Sequence, residues 1–340
     1  MIGQGSAAET LRAAHAGAAA SAPRAALVTV AVTVSVAVVL ALMQACGGGG
    51  APRTFLSIGT GGTGGIYYPL GGALASRLSL ADSMRQYTAE VTGGSVENVN
   101  RIREGQIDLG FALAVAAYGA YHGEGDFSRP DPELRVVAPL YPNLTHVMVP
   151  AGSDVRSLAD LAGKRVSVGS AGSGTEQISR QLLEIYGLTY DDVEPRYLSF
   201  SESSAALRDG AIDAAILSVG YPAAAVLEAA TTSGIRLVPI DAERAAALRA
   251  RHPYYSAGEI PGGVYPGVDA PVPTVAMMNW IVGSSRLPDD VVTLVLNTLE
   301  GDRVSLEQVH DMAKQIDLGR LDEAPIPLHT AAEHWKQEHR

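Results

Sequence analysis

One short unit of this sequence occurs twice, and the repeat constrains the fold more than any other feature. Residues 103–113 read REGQIDLGFAL, and residues 208–218 read RDGAIDAAILS. Each copy predicts the end of a helix, a glycine that terminates it in the left-handed conformation, and a strand that begins at Ile-Asp. A serine-containing turn precedes each helix, at 92–95 and 199–203. The repeat predicts two similar α/β lobes facing each other across a cleft, where small ligands bind.

The beginning of the chain is typical of an export signal. Residues 25–45 carry no charge, and Cys46, the only cysteine, follows them directly. MQAC at 43–46 is similar to a bacterial lipobox, so we predict a signal peptide and lipobox over 1–46, lipidation at Cys46 and a flexible tether over 47–53. Two alternatives remain, an uncleaved membrane anchor and an ordinary secreted protein. In each case the folded part lies outside the cytoplasm.

Composition and motifs exclude several classes of function. The net charge is −11, with acids spread along the chain, which argues against binding of nucleic acid. The folded part lacks cysteine, and the eight histidines are scattered, so we expect no disulfide and no metal site. Common catalytic motifs of hydrolases, zinc proteases and nucleotide-binding enzymes are missing. We therefore expect no catalytic residues and no cofactor.

The order of predicted elements indicates how the lobes connect. Strands and helices alternate, which predicts a mainly parallel sheet. Short strands at 135–140 and 145–150 are expected around a YPN turn. The apolar run 272–282 is expected to return to the first lobe, antiparallel to 145–150. This predicts a two-strand hinge, with lobe I at 54–144 plus 281–340 and lobe II at 145–280. We expect an irregular loop over 252–269 and a helix over 305–315.

Four loops rich in glycine or serine connect a strand to a following helix, at 59–65, 92–95, 170–174 and 199–201. This edge of an α/β sheet binds ligands, and helix amino ends favour anions. None of the loops contains Lys or Arg. Backbone amides and hydroxyls would therefore hold an anion. The candidate ligand-binding residues are Thr60, Gly61, Gly62, Thr63, Gly64, Tyr67, Gly94, Ser95, Ser170, Ser173, Gly174, Thr175, Ser201 and Tyr221.

Each of these signals also has a purely structural interpretation. SGTE at 173–176 and SFSE at 199–202 fit the capping box, in which serine and glutamate satisfy helix-end amides. The tyrosines could be ordinary packing residues. GTGGTG at 59–64 matches the dinucleotide pattern, but glycine-rich segments match it easily, and no acid lies at an obvious strand end about 20 residues on.

Several motifs, in order, carry a family resemblance. They are SIGTGGTGGIYYPLGGALA at 57–75, TGGSVENV at 92–99, GKRVSVGSAGSGTE at 163–176, YGLTYDD at 186–192, LSFSESSAALRDGAIDAA at 198–215, GYPAAA at 220–225 and VYPGVDAPVPTVAMMN at 264–279. Together they resemble the TAXI class of solute receptors for TRAP transporters.

The resemblance implies a type II periplasmic binding-protein fold that captures a small carboxylate for a sodium-coupled transporter. Glutamate, a glutamine-like amino acid or a 2-oxoacid would be the ligand. It implies that the first Gly/Thr loop, the loop at 173–175 and Tyr221 contact this ligand. The segment 112–117 is apolar here, which departs from the family pattern and predicts the loss of one polar contact. Two alternatives stay open: a ligand-sensing lipoprotein that signals to a kinase, and an exported enzyme of the dehydrogenase type.

Overall fold

The computed structural model describes residues 54–339. The predicted signal peptide, Cys46 and the tether lie outside the described residues. Within 54–339, no helix combines the length and the apolar character needed to cross a membrane. The described residues belong to one compact unit.

Ten strands join into one mixed sheet. Its main path runs β2-β1-β3-β10-β4-β7-β5-β6, with β8 paired to β4 and β9 paired to β10. The strands are β1 (Thr54–Gly59), β2 (Arg85–Glu90), β3 (Leu109–Leu113), β4 (Leu134–Pro150), β5 (Arg165–Ser167), β6 (Glu194–Arg196), β7 (Ala214–Val219), β8 (Ile235–Leu237), β9 (Tyr255–Ile260) and β10 (Val272–Ser284).

Ten α-helices accompany the sheet within the described part. They are α1 (Tyr67–Ala81), α2 (Ser95–Arg103), α3 (Ala114–His122), α4 (Gly174–Ile185), α5 (Phe200–Arg208), α6 (Ala224–Thr232), α7 (Ala242–Arg251), α8 (Asp289–Gly301), α9 (Arg303–Glu307) and α10 (Thr330–Glu338). Short 3₁₀ helices lie at Leu158–Leu161, Asp311–Gln315 and Leu318–Glu323. Strands β1 and β2 are parallel, as are β1 and β3, β5 and β6, and β5 and β7. The predicted α/β class is therefore confirmed.

The repeated unit forms the same local structure in both halves. Gly105 and Gly210 end their helices at φ of 68° and 66°, the left-handed region that favours glycine. Asp108 then accepts the Ser57 N–H at 2.8 Å, and Asp213 accepts the Arg165 N–H at 2.8 Å. Each aspartate thus ties its own strand to the start of the neighbouring parallel strand. The first sheet segment, β1 to β3, and the second, β5 to β7, are the two lobes.

Two long strands cross between the lobes. Strand β10 pairs antiparallel with β3 of the first lobe and with β4, while β4 pairs with β7 of the second lobe. The two-strand hinge agrees with the expectation, but its register differs. The YPN segment forms no turn, because 134–150 is one continuous strand. Strand β10 pairs with Leu134–Leu144 of β4, whereas Leu144–Met148 of β4 pairs with β7.

Two further expectations were wrong. The segment 252–269 is not irregular throughout, because it contains β9. This strand pairs antiparallel with β10 despite the nearby glycines and prolines. The helix expected over 305–315 is instead the short α9 followed by the 3₁₀ helix Asp311–Gln315. The lobe boundaries predicted at 144/145 and 280/281 fall inside β4 and β10, and they stay predictions.

The hinge contains one buried histidine. His146 lies in β4 and is fully buried, with its ring nitrogens bonded to the Leu144 carbonyl at 2.9 Å and the Tyr265 hydroxyl at 3.1 Å. Burial lowers the pKa of His146 to about 4, so the ring is neutral at pH 7. We therefore assign it a packing role in the hinge.

Candidate functional site

A cavity with about 530 Å³ of empty space lies between the lobes. We call it the ligand cavity. Among the described residues, no charged side chain lines it. Its lining residues are Gly61, Gly62, Gly65, Ile66, Tyr67, Gly93, Gly94, Ser95, Leu113, Tyr141, Asn143, Ser170, Ser173, Gly174, Thr175, Ser199, Phe200, Ser218 and Val219. The lining is therefore made of backbone, hydroxyls, one amide side chain and apolar groups.

Four helices begin at this cavity. Ile66 precedes α1, Gly94 precedes α2, Ser173 precedes α4 and Ser199 precedes α5, and all four residues line the cavity. The first amides of a helix have no intrahelical acceptor, and the helix dipole places partial positive charge there. Neutral groups alone therefore place partial positive charge around this cavity.

The amino end of α4 leaves amides for a ligand. The Ser173 hydroxyl accepts the Glu176 N–H at 3.1 Å, as predicted for the cap. The second half of that capping box is absent, because the Glu176 carboxylate binds Arg180 and Tyr190 instead. By their position, the amides of Gly174 and Thr175 have no intrahelical acceptor. At α5 the predicted capping box is complete, with Ser199 and Glu202 bonded to each other's amides.

The hydroxyls of Thr175 and Ser218 differ in their hydrogen bonding. The Thr175 Oγ1 accepts the Ser218 N–H at 3.4 Å, so it already supports the end of β7. The Ser218 hydroxyl is buried and has no partner among the described residues. A buried hydroxyl without a partner is costly, so Ser218 is the strongest side-chain candidate for a ligand contact.

The floor of the cavity is a polar network on the hinge strands. The Tyr67 hydroxyl donates to Asn279, whose amide nitrogen donates to the Asn143 side chain at 2.8 Å. Asn143 in turn donates to the Ser218 carbonyl at 2.8 Å. Burial raises the pKa of Tyr67 well above its ordinary value, so its phenol stays neutral. The network joins α1 of the first lobe to β7 of the second through the hinge.

The nearest cation on α4 is committed elsewhere. Arg180 binds the buried Glu176 carboxylate at 2.7 Å and also Asp126 at 2.9 Å. Asp126 lies between α3 and β4, so this arginine connects the two lobes outside the ligand cavity. Arg180 does not line the cavity. The anion-binding potential of α4 therefore comes from its amides.

The lobes touch each other around the cavity. The Glu97 N–H donates to the Gly172 carbonyl at 2.9 Å, and the Ala225 N–H donates to the Gly64 carbonyl at 3.3 Å. A Cβ on Gly93 would lie 2.7 Å from the Ala171 carbonyl oxygen. Glycine at 93 thus permits a backbone approach that no side chain would allow.

Nine of the fourteen predicted ligand-binding residues line this cavity: Gly61, Gly62, Tyr67, Gly94, Ser95, Ser170, Ser173, Gly174 and Thr175. The other five, Thr60, Thr63, Gly64, Ser201 and Tyr221, lie outside its lining. Thr60 is buried and donates to the Glu90 carbonyl at 2.6 Å. Thr63 and Ser201 are exposed. Tyr221 accepts a long bond of 3.5 Å from Gln315.

Eight side chains that line the cavity were not among the predicted residues: Ile66, Leu113, Tyr141, Asn143, Ser199, Phe200, Ser218 and Val219. Tyr141 and Asn143 belong to the segment expected to turn. Leu113 is in the apolar segment predicted to have lost a polar contact, and it presents an apolar wall. A serine at the carboxyl end of the apolar run 214–219 is a signal that could have identified Ser218.

Comparisons with known proteins agree with this architecture. The chain matches the NMT1-like family over residues 58–339. A putative aliphatic sulfonates-binding protein of Escherichia coli K12 is 29% identical over 142 residues, 39% of each chain. The chain thus matches about two fifths of the length of that curated relative.

Solved structures share the fold at low identity. PhnD1 of Prochlorococcus marinus, solved with methylphosphonate, gives a TM-score of 0.54 at 13% identity, over 84% of this chain and 96% of that one. The periplasmic aliphatic sulphonate binding protein SsuA of Escherichia coli gives 0.47 at 17% identity, over 85% and 84%.

The chain has the two-lobe α/β fold of the periplasmic binding-protein type. Within that class, the chain belongs to the NMT1-like family.

Proposed function

We propose that this receptor binds a small organic anion in the ligand cavity and delivers it to a membrane transporter. The observation that carries the proposal is the convergence of four helix amino ends on a cavity without charged side chains. Hydrogen bonds from amides and hydroxyls to a charged group are stronger than neutral ones. Such a site holds one anionic group without the desolvation of a buried cation.

The apolar part of the cavity limits the rest of the ligand. Leu113, Phe200 and Val219 provide apolar surface, and Tyr67 and Tyr141 add aromatic surface. The ligand is therefore a short organic molecule, and this site holds one anionic head group of it. We infer that Ser95, Ser218 and the amides of Gly174 and Thr175 bind this head.

Two head groups fit these donors. The sequence resemblance favours a carboxylate, such as glutamate, a glutamine-like amino acid or a 2-oxoacid. The relative from Escherichia coli is described as binding aliphatic sulfonates, which favours a sulfonate. Both groups accept several hydrogen bonds from helix-end amides. The resemblance that favours a carboxylate also implies a sodium-coupled TRAP transporter. Transport would then depend on a sodium gradient rather than on ATP.

A thermal-shift screen tests the proposal and separates the two head groups. Glutamate, glutamine, pyruvate, 2-oxoglutarate, ethanesulfonate, butanesulfonate and the neutral propionamide form the panel. A ligand at a hundred times its dissociation constant adds about 2.7 kcal/mol of stability. We expect stabilisation by a carboxylate or a sulfonate and none by propionamide. Stabilisation by the neutral amide alone, or by no anion in the panel at millimolar concentration, would contradict the proposal.

Attachment of the receptor to the membrane is a separate prediction. We propose that Cys46 becomes the acylated amino terminus, because it directly follows the apolar run 25–45. The variant Cys46→Ser should leave the membrane fraction or stay unprocessed. Fractionation and mass spectrometry of the mature amino terminus measure this. Normal processing and membrane retention of Cys46→Ser would rule out lipidation.

A further inference from the structure

A second cavity with about 830 Å³ of empty space lies apart from the ligand cavity and shares no lining residue with it. We call it the rear cavity. Tyr118 of α3, Tyr254 before β9, Trp280 of β10 and Arg320 of the Leu318–Glu323 3₁₀ helix contribute to its walls. Elements from both sides of the hinge therefore meet there.

The rear cavity is on the opposite face of the hinge strand from the ligand cavity. Asn279 bonds to Tyr67, which lines the ligand cavity, whereas the next residue, Trp280, lines the rear cavity. Since successive side chains of a strand point to opposite faces, one hinge strand separates the two spaces.

The walls of the rear cavity are aromatic. The rings of Tyr118 and Tyr254 lie 5.5 Å apart, and those of Tyr254 and Tyr255 also lie 5.5 Å apart. The hydroxyls of Tyr254 and Tyr255 are already bonded to the side chain of Gln181. These tyrosines therefore offer ring surface rather than polar groups.

The lining residue Trp280 carries one unsatisfied polar group. Trp280 is 1% exposed, and its indole N–H has no acceptor among the described residues. A buried donor without an acceptor costs free energy, and a ligand that accepts this bond would recover it. The charged rim is neutralised, because Arg320 binds Glu323 at 2.6 Å. The cavity therefore favours a ligand with an aromatic ring and a hydrogen-bond acceptor over a charged ligand.

We propose that the rear cavity is a second binding site, which takes a planar aromatic molecule carrying a hydrogen-bond acceptor. The ring stacks against Tyr118 and Tyr254, and the acceptor meets the Trp280 N–H. Aromatic pairs contribute beyond the area they bury. The site does not depend on the identity of the solute in the ligand cavity.

Fluorine NMR tests this site on the intact receptor. The chain has two tryptophans, so 5-fluorotryptophan labelling reports Trp280 and Trp335 separately. The probe is benzamide, which is planar, neutral and an acceptor; cyclohexanecarboxamide is the non-planar comparison. We expect benzamide to shift the Trp280 resonance saturably, at least fivefold more tightly than cyclohexanecarboxamide, and to leave Trp335 unchanged.

Three variants localise the effect. Tyr118→Ala should weaken benzamide binding at least fivefold, and Tyr118→Phe, which keeps the ring, should retain it. Tyr197→Ala, at a half-exposed tyrosine outside the rear cavity, serves as the matched control. No shift of Trp280, equal binding of the non-planar amide, or an unchanged affinity in Tyr118→Ala would each overturn the proposal.

Discussion

The two lobes contain the same repeated unit but meet the ligand cavity with different chemistry. The first lobe contributes mainly glycines, namely Gly61, Gly62, Gly65, Gly93 and Gly94. The second contributes mainly hydroxyls, namely Ser170, Ser173, Thr175, Ser199 and Ser218. Glycine allows close approach of backbones, whereas hydroxyls donate and accept directed hydrogen bonds. We infer from this comparison that the first lobe chiefly permits closure and the second chiefly recognises the ligand.

We expect the largest effect from adding a side chain at Gly93, where the backbones of the two lobes approach closely. In Gly93→Ala the new Cβ would lie 2.7 Å from the Ala171 carbonyl across the cavity, so the lobes cannot approach fully. The affinity for the best anion of the screen should fall about thirtyfold, roughly 2 kcal/mol. Calorimetry measures the affinity, and small-angle scattering should show a smaller ligand-induced decrease in radius of gyration than in the unchanged protein.

The matched control is Gly72→Ala in the same lobe, because nothing lies within 4 Å of a Cβ at Gly72. It should bind normally. Equal behaviour of Gly93→Ala and Gly72→Ala would break the assignment of closure to the first lobe.

The next effect tests the hydroxyls of the second lobe. Thr175→Val keeps the shape and removes the hydroxyl, so binding should weaken by about 1.5 kcal/mol, near tenfold. Stability should also fall by about 1 kcal/mol, since the Ser218 N–H loses its acceptor. Thr175→Ser, which keeps the hydroxyl, should retain most of the affinity and most of the stability. Calorimetry and urea unfolding measure the two quantities, and unchanged affinity in Thr175→Val would argue against a role for the Thr175 hydroxyl in binding.

The smallest effect concerns the aspartates of the repeated unit. Hydrogen bonds from Arg165 lower the pKa of Asp213, while burial raises the pKa of Asp108. Ionised Asp213 therefore stabilises the fold above its unfolded pKa, and this contribution is lost as the pH falls through the lower folded pKa. For Asp108 the sign is opposite, because the folded state favours the protonated form, and stability declines as the pH rises through its raised pKa.

At pH 7, Asp213→Asn should cost about 1 kcal/mol, the magnitude of a partly exposed ion pair. Asp108→Asn should cost less or nothing, since its side-chain oxygen can still accept the Ser57 N–H. Urea unfolding between pH 3 and pH 7 measures both. An equal loss in the two variants would show that the lobes do not differ electrostatically.

The repeated unit was predictable from the sequence because its local signals agree with its tertiary structure. Gly105, Gly210 and the two Ile-Asp pairs specify a helix end and a strand start by short-range geometry. The loops at helix amino ends were predictable for the same reason, and seven of their candidate residues line the ligand cavity.

The hinge was less predictable, because its register depends on long-range pairing. Pro142 and Asn143 have high turn propensity, yet β10 and β7 pair with the strand that contains them. As a result the sequence did not identify Tyr141, Asn143 or Ser218 as cavity residues. The network from Tyr67 to Ser218 joins residues far apart in the chain, so no local pattern specifies it.

The central claim is that neutral donors at helix amino ends bind the anionic ligand. A crystal structure of the receptor with the strongest anion of the screen tests this most directly. We predict that the anionic group lies within hydrogen-bond distance of the Gly174 or Thr175 amide and of the Ser218 hydroxyl, with no Lys or Arg side chain in contact. An arginine or lysine that clamps the anionic group, or an anion bound outside the ligand cavity, would contradict the account.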